Sequence, residues 1–484
     1  MKGRAILKYG DDWFSFSFKD ELSKRYKIDK LLNDIEKGEI IFSIQIEIFL
    51  KDIEEYNSSI DSPKLVDIES FSKQFIQKAK PLTLQKRWSL FKLMKEMDIL
   101  LNEYQIDAEN IDDYLKYIAV FIQDILNKTK AEELDRFFKI EIPINDLIYK
   151  RQRLGIAINS TILNSKIQKL EKELYSLKNT LQLTHNVYSP ENKIVQLNFL
   201  EENNINVVGS LERTFKNHQD HSDACGLFYQ QLRTKKDLDC LLYLKAAKGS
   251  QTRTFPSYIG FGTITSRITL REPALQNLRR RTREIISADP GYKLLYIDFS
   301  QFEAGILAHL SKDKLLINLY DSDIYKDISE FVNGTDEKRG KAKTLFYRNI
   351  YGDKSLEKKE KAYFLQFIDV QKYTRDIIAE AKKKGKIGTD MGNNRIITED
   401  YHIALSHKIQ ATASLIFKTA LIEVDKTIKN VDFILPMHDA ALYQCKSIDF
   451  EDLKVKISEI FINVFKEYCP SITPKVKEGG FYIS

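Results

Sequence analysis

Cysteine is scarce in this chain. Cys225, Cys240, Cys445 and Cys469 are the only four among 484 residues, and no two of them show the C-x-x-C spacing of a zinc or redox motif. That excludes a disulfide framework and fits a reducing compartment. No apolar run approaches the roughly 18 residues that a membrane-spanning helix needs. The opening residues, MKGRAILKYGDDWF, lack the apolar core of a secretory signal, so the expectation is a cytoplasmic protein with no membrane partner. An excess of one charge is missing too. Lys and Arg number 75 against 69 Asp and Glu, and a net charge of +6 announces no nucleic-acid partner by bulk field alone. Internal repeats and low-complexity tracts are also absent.

What is present suits a soluble globular protein, with 43% hydrophobic and 30% charged residues. The length allows about two to four domains. Basic charge is concentrated locally: Arg279, Arg280, Arg281 and Arg283 form a run that is either a solvated face or a set of phosphate contacts.

Three stretches carry chemistry. In KLLYIDFSQFEAGILAHLS, residues 293–311, the β-forming run Leu294–Ile297 delivers Asp298 at its end, and a helical apolar pattern follows. A carboxylate at the end of a buried strand has the rigid support that a metal ligand needs. A helix cap would explain Asp298 alone, but not Ser300, Gln301, Glu303, His309 and Ser311 in that order. In KRGKAKTLFYRNIYG, residues 338–352, Arg339, Lys343, Tyr347 and Tyr351 recur every four residues and form one stripe on a helix. Two cations followed by two rings suit a triphosphate and its base, although a basic surface helix has the same pattern. In VDFILPMHDAALYQC, residues 431–445, two alternating strands flank His438-Asp439, which predicts a hairpin with that pair at its tip.

Together these stretches resemble the motifs of family A (DNA polymerase I type) DNA polymerases. The first is similar to D-Y-S-Q-I-E-L-R-x-x-A-H-L-S, with Gly305 where the family has Arg. The second matches R-x-x-x-K-x-x-x-F/Y-x-x-x-Y-G. The third resembles the motif H-D-E, with Ala440 in place of Glu. GFGTITSRITLREPALQNLRRRTR, residues 260–283, resembles T-x-T-G-R-l-s-s-x-x-P-N-L-Q-N-I-P-x-R, with Ser266 replacing Gly. Residues 385–397 and the helix around Gln410, Thr412 and Ala413 fit the family order. The resemblance covers about residues 134–484.

It implies an α+β right-hand polymerase fold of palm, fingers and thumb with an antiparallel palm sheet, plus a small α/β exonuclease-like N-terminal domain. The implied domains are 1–133 exonuclease-like, 134–250 thumb, 251–311 and 398–484 palm, and 312–397 fingers. Asp298 and Asp439 would hold two Mg²⁺ ions. Lys343 would act in catalysis and, with Arg339, hold the triphosphate. Tyr347, Tyr351, Glu303, Gln301 and His438 would complete the dNTP site, Glu303 excluding a 2′-hydroxyl. Arg267, Gln276, Asn277, Arg395 and Gln410 would contact DNA. The expected activity is primer extension on a DNA template by a monomer. A catalytically silent nucleic-acid-binding protein and a phage-type single-subunit RNA polymerase are the alternatives.

Within 1–133, Ile41–Ile48 alternates like a strand, and Gln45-Ile46-Glu47 stands where the resembled family carries D-x-E. Asp has become an amide there, and neither Tyr114 nor Tyr117 has an Asp four residues on. Proofreading is therefore expected to be lost. The helix expected over 160–182, capped by Asn159, reads as part of the thumb.

Overall fold

The Leu294–Ile297 run lies inside the eight-residue strand Tyr292–Phe299, the centre of the sheet that carries the site. The computed structural model describes residues 2–77, 90–99, 106–335, 338–353, 355–397 and 400–482. The α+β class expected from the sequence is the one observed. Two compact units form, one from Met1–Leu154, Ser257–Leu270 and Gly291–Gly479, the other from Gly155–Pro256, Arg271–Pro290 and Gly480–Ser484. Among the described residues no helix is long and apolar enough to cross a membrane.

In the first unit, a four-stranded antiparallel sheet runs Val431–Met437, Ala440–Lys446, Tyr292–Phe299, Val476–Glu478. Side chains alternate between its faces. Phe299 points to one face, where its ring lies 5.0 Å from Phe461 and 5.4 Å from Phe465 of the helix Phe450–Tyr468. Asp298 therefore points to the other.

The same unit holds a five-stranded sheet near the N-terminus, with the Gly3–Tyr9 strand between Asp12–Ser17 and Ile40–Ser43. Its apolar face is covered by the helix Ile111–Lys128, with Phe42, Phe71, Ile118 and Phe121 fully or almost fully buried. Here one sequence expectation fails. The strand ends at Ser43 and a helix begins at Ile46, so Glu47 lies in a first helical turn. The Gln45 amide accepts from the Lys8 backbone N–H at 2.6 Å and donates to the Lys8 carbonyl at 3.3 Å. Gln45 thus ties the helix start to the neighbouring strand, and the side chain of Glu47 accepts a hydrogen bond from Ser257. Alternation across 41–48 mimicked a strand because Ile44 and Ile48 are exposed apolar residues outside the buried helix face, which is formed by Ile46, Phe49, Leu50 and Ile53.

The second unit is built on two packed helices, Ser160–His185 and Asp223–Lys248. Asn159 caps the first through the Ile162 N–H, as the sequence predicts. The arginine run is neither a plain solvated face nor a free phosphate grip. Arg281 bonds Asp237 at 2.7 Å and Glu173 at 2.9 Å, one carboxylate on each helix. Arg279 pairs with Asp237 and donates to the Arg233 carbonyl. Arg283 donates to the Leu278 carbonyl, while Arg280 is exposed. Lys235 and Lys236 pair with Asp239 and Glu212.

A buried ionic network ties distant segments of the first unit together. A π-helical turn, Phe137–Glu141, leads into the helix Ile142–Leu154. Its i to i+5 pitch sets residues five apart above one another, and the Arg136 Nε donates to Glu141 at 2.9 Å. Lys418 donates to the other Glu141 oxygen at 2.5 Å, and Arg136 and Lys418 are both 0% exposed. Arg136 also donates to the Ser266 hydroxyl at 2.6 Å. Burial pulls the Lys418 ammonium down to about 8. Nearby, the His407 Nε2 bonds the Asn393 carbonyl at 3.0 Å. Burial drives His407 down to about 4, against the hydrogen bond to Asn393 and with Arg395, Arg136 and Lys408 adding to the depression. A depressed histidine favours the folded state above its unfolded pKa of about 6.5, and that contribution is lost as pH falls through the folded value. Between pH 7 and 5 the wild-type protein should lose about 2 kcal/mol that His407→Gln does not lose. Urea midpoints at the two pH values measure this, and equal losses in both proteins would contradict it.

Candidate active site

Asp298, near the end of the central strand, pairs across the sheet with Ala440 on one side and Lys477 on the other. Asp439 immediately precedes Ala440. Only His438 and Asp439 separate the Val431–Met437 and Ala440–Lys446 strands, and His438 adopts a φ of 62°. A two-residue hairpin needs such a left-handed residue. The fold therefore sets Asp439 one residue from the cross-strand partner of Asp298. Among the described residues no three His, Cys, Asp or Glu side chains are grouped to hold a metal ion, so the pair is not part of a closed ligand set.

After Asp298 the chain bends at Gln301, whose φ is 51°, into the helix Phe302–Ser311. The Gln301 amide fixes this bend by donating to the Tyr320 carbonyl at 3.1 Å and accepting from the Ile324 N–H at 2.9 Å. Gln301 thus serves the backbone of this unit, where the sequence suggested a substrate contact. Glu303, in the first turn, is 1% exposed. Arg267 donates to one of its oxygens at 2.8 Å and the Tyr351 hydroxyl to the other at 3.0 Å. The same Arg267 nitrogen lies 3.6 Å from Asp439. Gln410 lies beside the Tyr351 hydroxyl and opposes the rise in its pKa. Burial raises the Glu303 pKa, the Asp439 charge adds to this, and Arg267 opposes it. Burial also raises the Tyr347 and Tyr351 phenols, so both are hydrogen-bonding groups rather than anions at neutral pH.

Arg267 follows Ser266, which has a φ of 61° where the resembled polymerases carry glycine. A left-handed serine costs about 1–2 kcal/mol. Its hydroxyl is held by Arg136 and by Ser414 at 2.9 Å, which offsets that cost. Gly305 also has a packing reason. A Cβ there would meet the Tyr320 ring at 2.7 Å and Ile472 at 2.8 Å, so these side chains occupy the room an arginine would need.

The helix Arg339–Ile350 presents the expected stripe. Arg339 is paired with Asp323 at 2.7 Å, its guanidinium 5.1 Å from the centre of the Tyr325 ring. Lys343 is exposed, with its ammonium 5.9 Å from the Tyr347 ring centre, and the Tyr347 and Tyr351 rings are 5.7 Å apart. Asp298, Asp439, Glu303, Arg267 and Tyr351 are thus linked by register, hydrogen bonds or ion pairing, with Gln410 beside Tyr351 and the Tyr347 ring tilted at 39° to that of Tyr351. Asp323 and Tyr325 were not singled out from the sequence. An N-cap aspartate was the only signal available, and Asp323 does accept from the Tyr325 and Lys326 N–H groups.

Two groups of expected DNA contacts fall elsewhere. Gln276 and Asn277 belong to a short turn of the second unit, where Asn277 is exposed. Arg395 is 0% exposed and donates to the Ile264 carbonyl at 2.9 Å. It supports the loop that carries Arg267 and offers no surface to a ligand, which corrects the sequence expectation.

Known proteins resemble this chain in sequence and in fold. The family described as DNA polymerase family A matches residues 152–473. DNA polymerase I of Caldicellulosiruptor bescii is 25% identical over 457 residues, which cover 79% of this chain and 52% of that protein. DNA polymerase theta of Caenorhabditis elegans is 32% identical over 219 residues, covering 38% of this chain and 14% of that one. The chain thus spans about half the length of the first of these relatives, and much less of the second. Among solved structures, the POL domain of Pol1 from M. smegmatis, in complex with DNA primer-template and dNTP, has the same fold. It superposes with a TM-score of 0.76 at 17% identity, over 99% of this chain and 94% of that one. With two thirds of its length matched by the family, the chain belongs to DNA polymerase family A.

Proposed function

We propose that this chain is a template-directed DNA polymerase that extends a primer 3′-hydroxyl with dNTPs and does not proofread. The observation that carries the reading is the register that sets Asp298, on the central strand, beside the hairpin turn that carries Asp439, with Arg267 joining Asp439 to Glu303 and Tyr351 bonded to Glu303. Two hard carboxylates that leave further positions for phosphate oxygens and water fit magnesium. Two Mg²⁺ ions held by Asp298 and Asp439 would activate the primer 3′-hydroxyl and neutralise charge on the phosphates.

The remaining roles belong to the chain itself. Lys343 and Arg339 hold the triphosphate, Arg339 exchanging its bond to Asp323 for a phosphate oxygen. Tyr347 packs against the sugar and base, with His438 at the hairpin tip beside the primer end. Glu303, fixed by Arg267 and Tyr351, fills the space that a 2′-hydroxyl would take. Arg267 and Gln410 face the primer terminus and the nascent pair. The long helices Ser160–His185 and Asp223–Lys248 serve as the thumb, with Gln276 and Asn277 on the path of the template. Loss of proofreading rests on the sequence, in which Gln45 carries an amide in the segment similar to D-x-E and neither Tyr114 nor Tyr117 has an Asp four residues on.

Primer extension on a DNA template tests the reading. Asp298→Ala or Asp439→Ala should lower extension by about a thousandfold or more. Both variants should keep their affinity for primer-template DNA, because phosphate contacts supply most of it. An Asp439→Ala protein that extends at the wild-type rate would remove the carboxylate pair from the mechanism.

Sugar selection gives a separate measurement. Glu303→Ala should reduce discrimination against ribonucleotides by roughly ten- to a hundredfold, with a slower overall rate. Unchanged ratios of kcat/KM for dNTP and NTP would place Glu303 away from the sugar.

With Mg²⁺ and no dNTPs, a mismatched primer 3′ end should remain intact. Shortening that disappears in a Glu47→Ala protein would show that the N-terminal sheet retains exonuclease activity.

A further inference from the structure

The strand Val476–Glu478 brings a cation to the open face of the catalytic sheet. Lys477 is the direct cross-strand partner of Asp298, on the side away from Ala440 and Asp439. Adjacent strands lie about 4.8 Å apart, and directly paired residues share a face. The face is fixed by the neighbouring residue. Glu478 accepts from Ser458 at 2.7 Å and lies 3.9 Å from Lys454, both on the helix Phe450–Tyr468 behind the sheet. Phe299, next to Asp298, packs on that same helix. Lys477 and Asp298 therefore project together from the opposite, open face. Lys477 is exposed and takes part in no ion pair among the described residues.

The strand is also tied to the segment that positions the fingers cation. The Lys475 carbonyl accepts from the Ser300 N–H at 2.8 Å, and the Lys475 ammonium donates to the Asp321 carbonyl at 2.5 Å. Two residues on, Asp323 holds Arg339. Across the sheet the order is Asp439, Asp298, Lys477, with the Asp323–Arg339 pair anchored at the Lys477 side. An anion that starts at the aspartates and runs toward Arg339 passes the lysine. Ala440 contributes no charge to this row, so Lys477 faces two carboxylates rather than three.

We propose that Lys477 is a phosphate-binding residue that holds the polyphosphate tail of the incoming nucleotide and the pyrophosphate product. This rests on the polymerase reading above. An ammonium beside Asp298 repels a lone metal ion but attracts a metal–polyphosphate, which carries net negative charge, so it favours occupancy by nucleotide.

Single-nucleotide insertion by the full chain, with pyrophosphate as inhibitor, tests the proposal. Lys477→Ala should raise KM for the dNTP by about three- to tenfold, more than it lowers kcat, and raise the inhibition constant of pyrophosphate in parallel. Lys477→Glu should exceed both changes and Lys477→Arg should retain most of the wild-type values. A merely structural role would lower the melting temperature and kcat without moving pyrophosphate inhibition. Unchanged KM and pyrophosphate inhibition in both the alanine and glutamate proteins would overturn the assignment. Should the wild-type chain extend no primer, the polymerase reading falls separately, and calorimetric titration with magnesium tripolyphosphate decides. Weaker binding to Lys477→Ala than to wild type keeps the phosphate site. Equal binding, or none to either protein, ends it.

Discussion

The arrangement of the first unit depends on one buried carboxylate. Glu141 accepts from Arg136 and Lys418 in a place where neither cation reaches water. Removing one partner of such a set leaves an uncompensated charge and costs several kcal/mol, whereas the set as a whole adds little net stability. Its contribution is to geometry. Arg136 passes the constraint to Ser266, and Ser414 bonds both the hydroxyl and the carbonyl of Ser266. Ser266 is thereby held in a left-handed conformation, and Arg267 is directed at Glu303 and Asp439. Without the π turn, residues 136 and 141 would stand on different faces of the helix and the chain of contacts would not form.

The motifs of the candidate site were legible in the sequence because they combine residue types with a local pattern. The β-forming run Leu294–Ile297 delivered Asp298, the two-residue gap delivered Asp439, and a spacing of four delivered the stripe from Arg339 to Tyr351. What escaped was non-local. Arg395 looks like a surface cation in a hairpin, and only the packing of the Ile403–Thr427 helix and of the loop at Ile264 makes it a buried prop. The run from Arg279 to Arg283 has the composition of a phosphate grip. Its partners Glu173 and Asp237 lie far away in sequence on two helices, so no local pattern could reveal that Arg281 holds those helices together. The Ile41–Ile48 segment failed for a different reason. Two exposed isoleucines, Ile44 and Ile48, completed a period of two that the buried residues Ile46, Phe49, Leu50 and Ile53 do not follow.

The departures from the family pattern divide on physical grounds. Ser266 substitutes for glycine by having its hydroxyl hydrogen-bonded, and Gly305 substitutes for arginine because Tyr320 and Ile472 fill the volume. Both leave the shape of the site to be set by other residues. Ala440 is fully buried in the strand, and nothing in the structure explains why a carboxylate is absent there.

Arg267 touches Glu303 and Asp439 with the same terminal nitrogen. One guanidinium is thus shared between the residue proposed to judge the sugar and a carboxylate proposed to support the chemistry. Substitutions at these positions will not behave as independent changes, because each alters the charge that the arginine has left for the other. A lineage relaxing its choice of sugar would at the same time alter the electrostatics of bond formation. Under the proposed roles, selectivity and speed are coupled through Arg267 rather than independently adjustable.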